Sequence, residues 1–352
     1  MIESQFSKDL LLWFDQHGRK NLPWQTPIDA YRVWLSEVML QQTQVATVIP
    51  YFIRFIERFP NLPALADADL DEVLSLWAGL GYYSRGRNLH RAAQIIRDEH
   101  GGVVPQDLEA LRALPGIGRS TAAAIMAQAY GAQTAILDGN VKRVITRLFA
   151  IQGWPGERAI ESQLWSKADA LMPADRCRDY TQAIMDLGAT LCTRSKPACG
   201  QCPAQSYCQA YTKDLTAELP TRKPKKLAPV KERTLILFER DNTFWLEKRP
   251  PHGIWGGLYS LPEFASKPEA LAYAKETFAC VSLATELNFE HTFSHYKLKA
   301  SVLWLRVSTH KHLREQAGIW HALKNVEAAP ALPSPIAKLF DALSAPSLLT
   351  ES

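Results

Sequence analysis

The chain has 352 residues, 47% of them hydrophobic, enough to bury the cores of two domains rather than one. Its formal charge of +4 is a mild basic excess, which admits nucleic acid as a partner without requiring it. No apolar run approaches the roughly 18 residues needed to cross a bilayer, and Asp9 and Asp15 break the first apolar stretch, so neither a membrane protein nor an exported one is expected.

From the N-terminus, Leu10, Leu11, Trp13 and Phe14 supply the apolar side of a helix over about Ser7 to Gln16, and Gly18 stops it. Leu22-Pro23-Trp24 is a rigid connection to a second helix, about Tyr31 to Met39. Glu37 stands inside YRVWLSEVMLQQTQV, where nearly every neighbour is apolar. An unpaired carboxylate there is costly, so it is paired, solvated or protonated. Either it lies on the one wet face of the helix, or a raised pKa suits it to general-acid work. Gln41-Gln42-Thr43 then interrupts the apolar pattern. These side chains either meet base edges or a strand end, or cap a helix over about Val45 to Phe59, which Pro50 should kink or stop early.

Asp69 to Trp77 reads as an amphipathic helix leading into Gly79-Leu80-Gly81-Tyr82-Tyr83-Ser84-Arg85-Gly86-Arg87. That stretch is either a nucleic-acid contact, with arginines on phosphates and an aromatic wedge between bases, or a helix junction with core tyrosines. A helix continues from Asn88 to Glu99. In Leu114-Pro115-Gly116-Ile117-Gly118 two glycines leave backbone N–H groups bare ahead of an Ala-rich helix, Arg119 to Tyr130. The hairpin either grips a phosphate or serves only the turn. Ala135-Ile136-Leu137 delivers Asp138 to a further helix start, either as a plain N-cap or as an anion held ready beside the phosphate site. The helix that follows, about Val141 to Ile151, carries Lys142, Arg143 and Arg147. Helices over about Ala159 to Leu171 and Asp179 to Leu187 complete an all-helical region.

Six cysteines occur, and four of them follow the pattern Cys192-x6-Cys199-x2-Cys202-x5-Cys208. Such tight spacing points to one metal centre and a reducing cytosol rather than to disulfides. Zinc on four thiolates and a [4Fe-4S] cluster both satisfy the count. Cys177 and Cys280 read as ordinary buried residues. The Pro- and Lys-rich stretch Thr221 to Pro229 reads as a linker that can lie along DNA. Beyond it, Thr234 to Glu239 and Thr243 to Lys248 flank Asp241-Asn242, a hairpin signal. Further strands near 257–262, 284–290 and 297–307, with helices about 267–279 and 335–343, make a small α/β domain.

WLSEVMLQQTQV at 34–45, GLGYYSR at 79–85, LPGIGRST at 114–121, ILDGNVKRV at 136–144 and MDLGATLCTRSKPAC at 185–199, with Cys202 and Cys208 behind them, resemble the MutY-type adenine DNA glycosylase family of the helix-hairpin-helix DNA glycosylase superfamily. The cysteine signature alone also suits the endonuclease III family; Glu37 and the second domain favour MutY. The resemblance implies a mainly α catalytic domain over 1–225, with a six-helix barrel about 25–133 and a cluster half formed by 1–24 and 134–225. A basic linker, 226–233, and a Nudix-like domain, 234–352, would follow. It also implies a [4Fe-4S] cluster on Cys192, Cys199, Cys202 and Cys208. The partner would be duplex DNA bearing adenine opposite 8-oxoguanine or guanine, bound by a cytoplasmic monomer working on the nucleoid.

By the same resemblance, Glu37 protonates N7 of an extruded adenine, and Asp138 stabilises the oxocarbenium-like sugar, with different surroundings separating their pKa values. Asp138, at a helix start, is expected to be the anion. Gly116 and Gly118 hold backbone phosphate, Tyr82 intercalates beside the opposite base, Gln42 bonds around the vacated stack and Gln182 lies near the adenine. Lyase-type relatives carry a lysine where this chain has Ser120, so an abasic site without strand cleavage is expected; many MutY proteins carry tyrosine there. Lys142 is either a phosphate contact or a slow adduct former at the abasic site. In the second domain Gly257-x5-Glu263 keeps one piece of the nucleotide-hydrolase signature, but Leu271, Ala272 and Ala274 stand where its charged metal-binding helix is expected. Nucleotide hydrolysis is therefore not expected, and Phe293-Ser294-His295 matches the loop that reads 8-oxoguanine.

Overall fold

The computed structural model describes residues 2–224, 228–251, 253–278, 281–293, 296–308, 318–322 and 330–344. The helical part runs α1 (Ile2–His17), α2 (Ala30–Leu40), α3 (Val45–Arg58), α4 (Leu62–Ala66), α5 (Leu70–Trp77), α6 (Ser84–Glu99), α7 (Leu108–Ala113), α8 (Arg119–Tyr130), α9 (Gly139–Leu148), α10 (Arg158–Leu171), α11 (Cys177–Thr190) and α12 (Gln209–Thr212). The starts are set locally. Asp29, Asp107 and Asp138 each accept a backbone N–H from three residues on, capping α2, α7 and α9. Pro50 neither stops nor ends α3, which continues to Arg58. Pro50 and Ala46 are both exposed, so the carbonyl that loses its helical donor is open to water.

The chain divides into two compact units, Met1–Asp67 with Asn88–Lys225, and Ala68–Arg87 with Lys226–Ser352. In the first, Phe6, Leu10 and Phe14 of α1 pack with Val144, Ile145 and Leu148 of α9 and with Ile184 and Leu187 of α11 in one core. Each of those side chains contributes about 1.5–3 kcal/mol on full burial. The α2 helix lies against α8, and α8 against α11, which brings the apolar run around Glu37 to the Ala-rich helix.

The second unit holds a seven-stranded mixed sheet among the described residues: β1 (Val230–Arg240), β2 (Thr243–Lys248), β3 (Tyr259–Ser260), β4 (Glu263–Phe264), β5 (Val281–Thr292), β6 (Lys297–Val307) and β7 (Gly318–Ala322). The order is β3-β2-β1-β6-β5, with β4 on β1 and β7 on β2. Strand β1 runs parallel to β6, from Val230 beside Lys297 to Glu239 beside Arg306. Its middle, Thr234 to Phe238, is buried on both faces, as the centre of a central strand must be. Leu235 and Leu237 point to one core, shared with Ile336 and Phe340 of α14 (Ser334–Ser344). Ile236 and Phe238 point to the other, shared with Ala270 and Ala274 of α13 (Lys267–Thr277). Asp241 and Asn242 both take positive φ, 51° and 57°, as a tight two-residue hairpin turn demands. Because β1 starts at Val230, residues 230–233 are strand rather than linker. The short strands β4 and β7 carry no alternation long enough to be read from sequence.

Candidate active site

A cleft of about 790 Å³ opens in the first unit. Its walls include Glu37 from α2, Gln128 from α8, Asp138 and Asn140 at the start of α9, and Gln182 from α11. Glu37 is half-buried, and Gln128 Nε2 donates to its Oε1 over 3.1 Å. Burial pushes the Glu37 carboxyl up to about 8, and the nearby charge of Asp138 adds to the shift.

Asp138 Oδ1 accepts from Val141 N over 2.7 Å, and Asn140 Nδ2 lies 3.5 Å from Oδ2. Its pKa is raised by burial, against the expectation that a helix start alone would favour the anion. The Val141 and Asn140 backbone N–H groups and the charges of Arg143 and Lys142 pull the other way. Burial therefore lifts both carboxyls, but only Asp138 is surrounded by groups that oppose the lift. Arg143 in turn is tied down by the Cys192 and Gly188 carbonyls, at 2.6 and 2.7 Å, and by Asn140 Oδ1 at 2.8 Å.

The other sequence-predicted residues divide. Gln42 lines the cleft, exposed and at φ 58°. Gln41 Nε2 reaches Gly116 O and Thr121 Oγ1, at 3.2 and 3.3 Å, and ties the α2–α3 turn to the hairpin. The N-cap residue of α3, Gln44, makes no side-chain capping bond. Gly116 and Gly118 are exposed, Gly116 at φ 81°. Ser120 Oγ accepts from Leu137 N over 3.0 Å, anchoring the run that delivers Asp138. Lys142 Nζ is taken up by Glu161 at 2.6 Å. Tyr82 belongs to the second unit, half-exposed at φ 48°, with the Arg85 guanidinium 5.6 Å from its ring. Phe293 stacks among Trp255, His291 and Tyr296. Ser294, His295 and Cys280 lie outside the described residues. Sequence reasoning missed Gln128 and Asp186; each is a polar group inside an apolar helical run, the signal that marked Glu37.

Two family models match: the HhH-GPD superfamily of base excision DNA repair proteins over residues 35–169, and the NUDIX domain over 233–342. An adenine DNA glycosylase of Buchnera aphidicola from Acyrthosiphon pisum is 38% identical over 97% of this chain and 98% of its own length. The chain belongs to the adenine DNA glycosylase family. The human adenine DNA glycosylase is 48% identical over 58% of this chain and 39% of its own. Among solved structures, a thermostable thymine-DNA glycosylase superposes with a TM-score of 0.55 at 27% identity, over 60% of this chain and 97% of its own. A DNA-bound endonuclease III, at 21% identity and a TM-score of 0.52 over 60% of this chain and 96% of its own, shares the fold.

Cys192, Cys199, Cys202 and Cys208 line one apolar cavity. Burial pushes the Cys202 thiol up to about 12, with the other three sulfurs adding to the shift. Arg147, buried beneath, places Nη1 3.4 Å from Cys192 Sγ and donates to the Thr193, Arg194 and Leu219 carbonyls. Among the described residues no three His, Cys, Asp or Glu side chains are set to hold a metal ion. The four sulfurs nevertheless line one cavity. Cys177 is an ordinary buried thiol whose Sγ donates to Pro173 O.

Proposed function

We propose that Glu37 and Asp138 are the catalytic pair of an adenine DNA glycosylase acting on adenine opposite 8-oxoguanine or guanine. The observation that carries this reading is their meeting in one cleft, with the charge of Asp138 helping to keep Glu37 protonated. Glu37 gives its proton to N7 of a flipped adenine. The bond from N9 to C1′ breaks, its electron pair leaves with the base, and positive charge builds on the sugar. Asp138 stabilises that charge, and water adds at C1′ as its proton passes to the carboxylate. Ser120 offers no amine and Lys142 is engaged by Glu161, which favours hydrolysis to an abasic site over lyase chemistry.

The hairpin's Gly116 and Gly118 grip phosphate, Gln42 and Tyr82 contact the distorted stack, Gln182 meets the adenine, and Phe293-Ser294-His295 reads the opposite base. The helices of 25–133 make the six-helix barrel and those of 1–24 and 134–225 the cluster half, in a division at 225 from the Nudix-like part. Cys192, Cys199, Cys202 and Cys208 hold a [4Fe-4S] cluster, which orders the loop between them. A shared, largely apolar cavity suits such a group, and the Arg147 guanidinium beside Cys192 offsets thiolate charge. The protein works as a monomer on DNA in the cytoplasm.

The test is a duplex with adenine opposite 8-oxoguanine. Strand breaks only after hot alkali are expected. Excision of oxidised pyrimidine with adenine left intact would reject the specificity.

A further inference from the structure

Asp186 of α11 has no exposed surface. Its Oδ2 accepts from the backbone N–H of Arg19 over 2.8 Å. Its Oδ1 accepts from Arg19 Nε at 2.8 Å, from Arg19 Nη2 at 2.6 Å and from Gln182 Nε2 at 2.7 Å. A buried carboxylate persists only when paired and hydrogen-bonded in this way. Gln182 sits one helical turn before Asp186, is itself buried, and lines the same cleft as Glu37.

A carboxylate facing a guanidinium only accepts. Gln182 must therefore turn its NH₂ towards Asp186, and its carbonyl Oε1 faces away. Among the described residues no hydrogen bond ends on that oxygen. The edge of adenine carrying N7 presents one acceptor and, at N6, one donor; the same edge of guanine presents two acceptors. A Glu37 proton at N7 together with a Gln182 carbonyl at N6 complements adenine. The same carbonyl opposes O6 of guanine, and a reversed amide would invert the preference.

We propose that Asp186 is a positioning residue that fixes the amide polarity of Gln182 and so makes the cleft choose adenine over guanine. This rests on the cleft being the adenine site. In Asp186→Asn an NH₂ on the Oδ1 side keeps an acceptor for the Arg19 backbone N–H, turns a donor on the Arg19 guanidinium, and offers Gln182 a donor, which lets its amide turn round.

The test is single-turnover excision from duplexes carrying adenine, or purine without the 6-amino group, opposite 8-oxoguanine. Asp186→Asn should slow adenine release by about tenfold to a hundredfold, the cost of a mismatched buried polar group, and leave release of the unsubstituted purine within about twofold. Gln182→Leu, which removes the carbonyl without touching the Arg19 pair, should lower the same ratio. Equal slowing of both bases, unchanged adenine release, or an unchanged ratio in Gln182→Leu overturns the proposal. Wild-type protein that leaves adenine in place overturns instead the reading on which it rests.

Discussion

Gln128 donates an amide N–H to Oε1 of Glu37 over 3.1 Å, joining the Ala-rich helix behind the glycine hairpin to the helix that carries the buried acid. The bond occupies one carboxyl oxygen and leaves the other for a proton and a ligand.

Glu37→Gln preserves that contact and removes the transferable proton. Adenine release should fall by about 10²-fold or more while mismatch affinity, measured by gel shift, stays within a few-fold. An unchanged rate would remove Glu37 from the chemistry. In the wild type the rate should decline above about pH 8, as the acid ionises, and fall again towards acid pH as Asp138 takes up a proton. The same shift sets a stability trend. With its folded pKa raised above the unfolded value, Glu37 contributes stability that is full below about 4.5 and lost as pH rises through about 8. Glu37→Gln should therefore flatten the dependence of Tm on pH across that window and melt higher than wild type at its alkaline end.

Asp138→Asn keeps an N-cap of equal quality, so thermal stability should change by less than about 1 kcal/mol. The charge is gone, however, and with it part of the lift on Glu37. The residual excision rate should be far lower, and its decline with pH should begin at lower pH than in wild type. A pH profile that scales down without moving would mean the two carboxyls are not coupled.

The two hairpin glycines should behave differently. A Cβ at Gly116 would sit 3.0 Å from Asn88 Cβ, on a backbone at φ 81°. Gly116→Ala should cost about 1–2 kcal/mol of stability and weaken DNA binding. At Gly118 φ is −89° and nothing lies within 4 Å of such a Cβ. Gly118 is the N-cap of α8, so Gly118→Ala should cost about 0.5–1 kcal/mol, less than Gly116→Ala, and a loss of DNA affinity beyond that reports on phosphate contact. Wild-type affinity should fall steeply as salt rises; a flat salt profile would contradict phosphate gripping.

Protein purified without oxygen should contain iron and acid-labile sulfide in equal amounts and absorb visible light. Cys199→Ser should lower both contents together. Zinc in place of iron and sulfide would overturn the cluster assignment.

Periodicity located the long elements well. The bounds of α8 and β2 were readable to the residue, because Gly131 closes α8 and the Asp241-Asn242 turn opens β2. β4 and β7 were not, since two to five residues at a sheet edge owe their state to partners far along the chain. Glu37 announced itself as a charge inside an apolar run, and Asp138 as a carboxylate at a helix start. Their convergence on one cleft comes from the α2–α8–α11 packing, which no local pattern encodes. Asp186 carried the same cue as Glu37 but only its bonds to Arg19 and Gln182 give the cue a meaning.

The helical excursion Ala68–Arg87 keeps company with the C-terminal unit. Tyr83 bonds to the Leu332 carbonyl, Arg87 to that of Gly256, and Asp71 pairs with Lys248. A chain cut after residue 225 would therefore lose more than its final third. It would strip the neighbours of Tyr82 of their supports, so joining residues 1–225 to a foreign C-terminal partner would also require redesign of Ala68–Arg87, a stretch far from the joint.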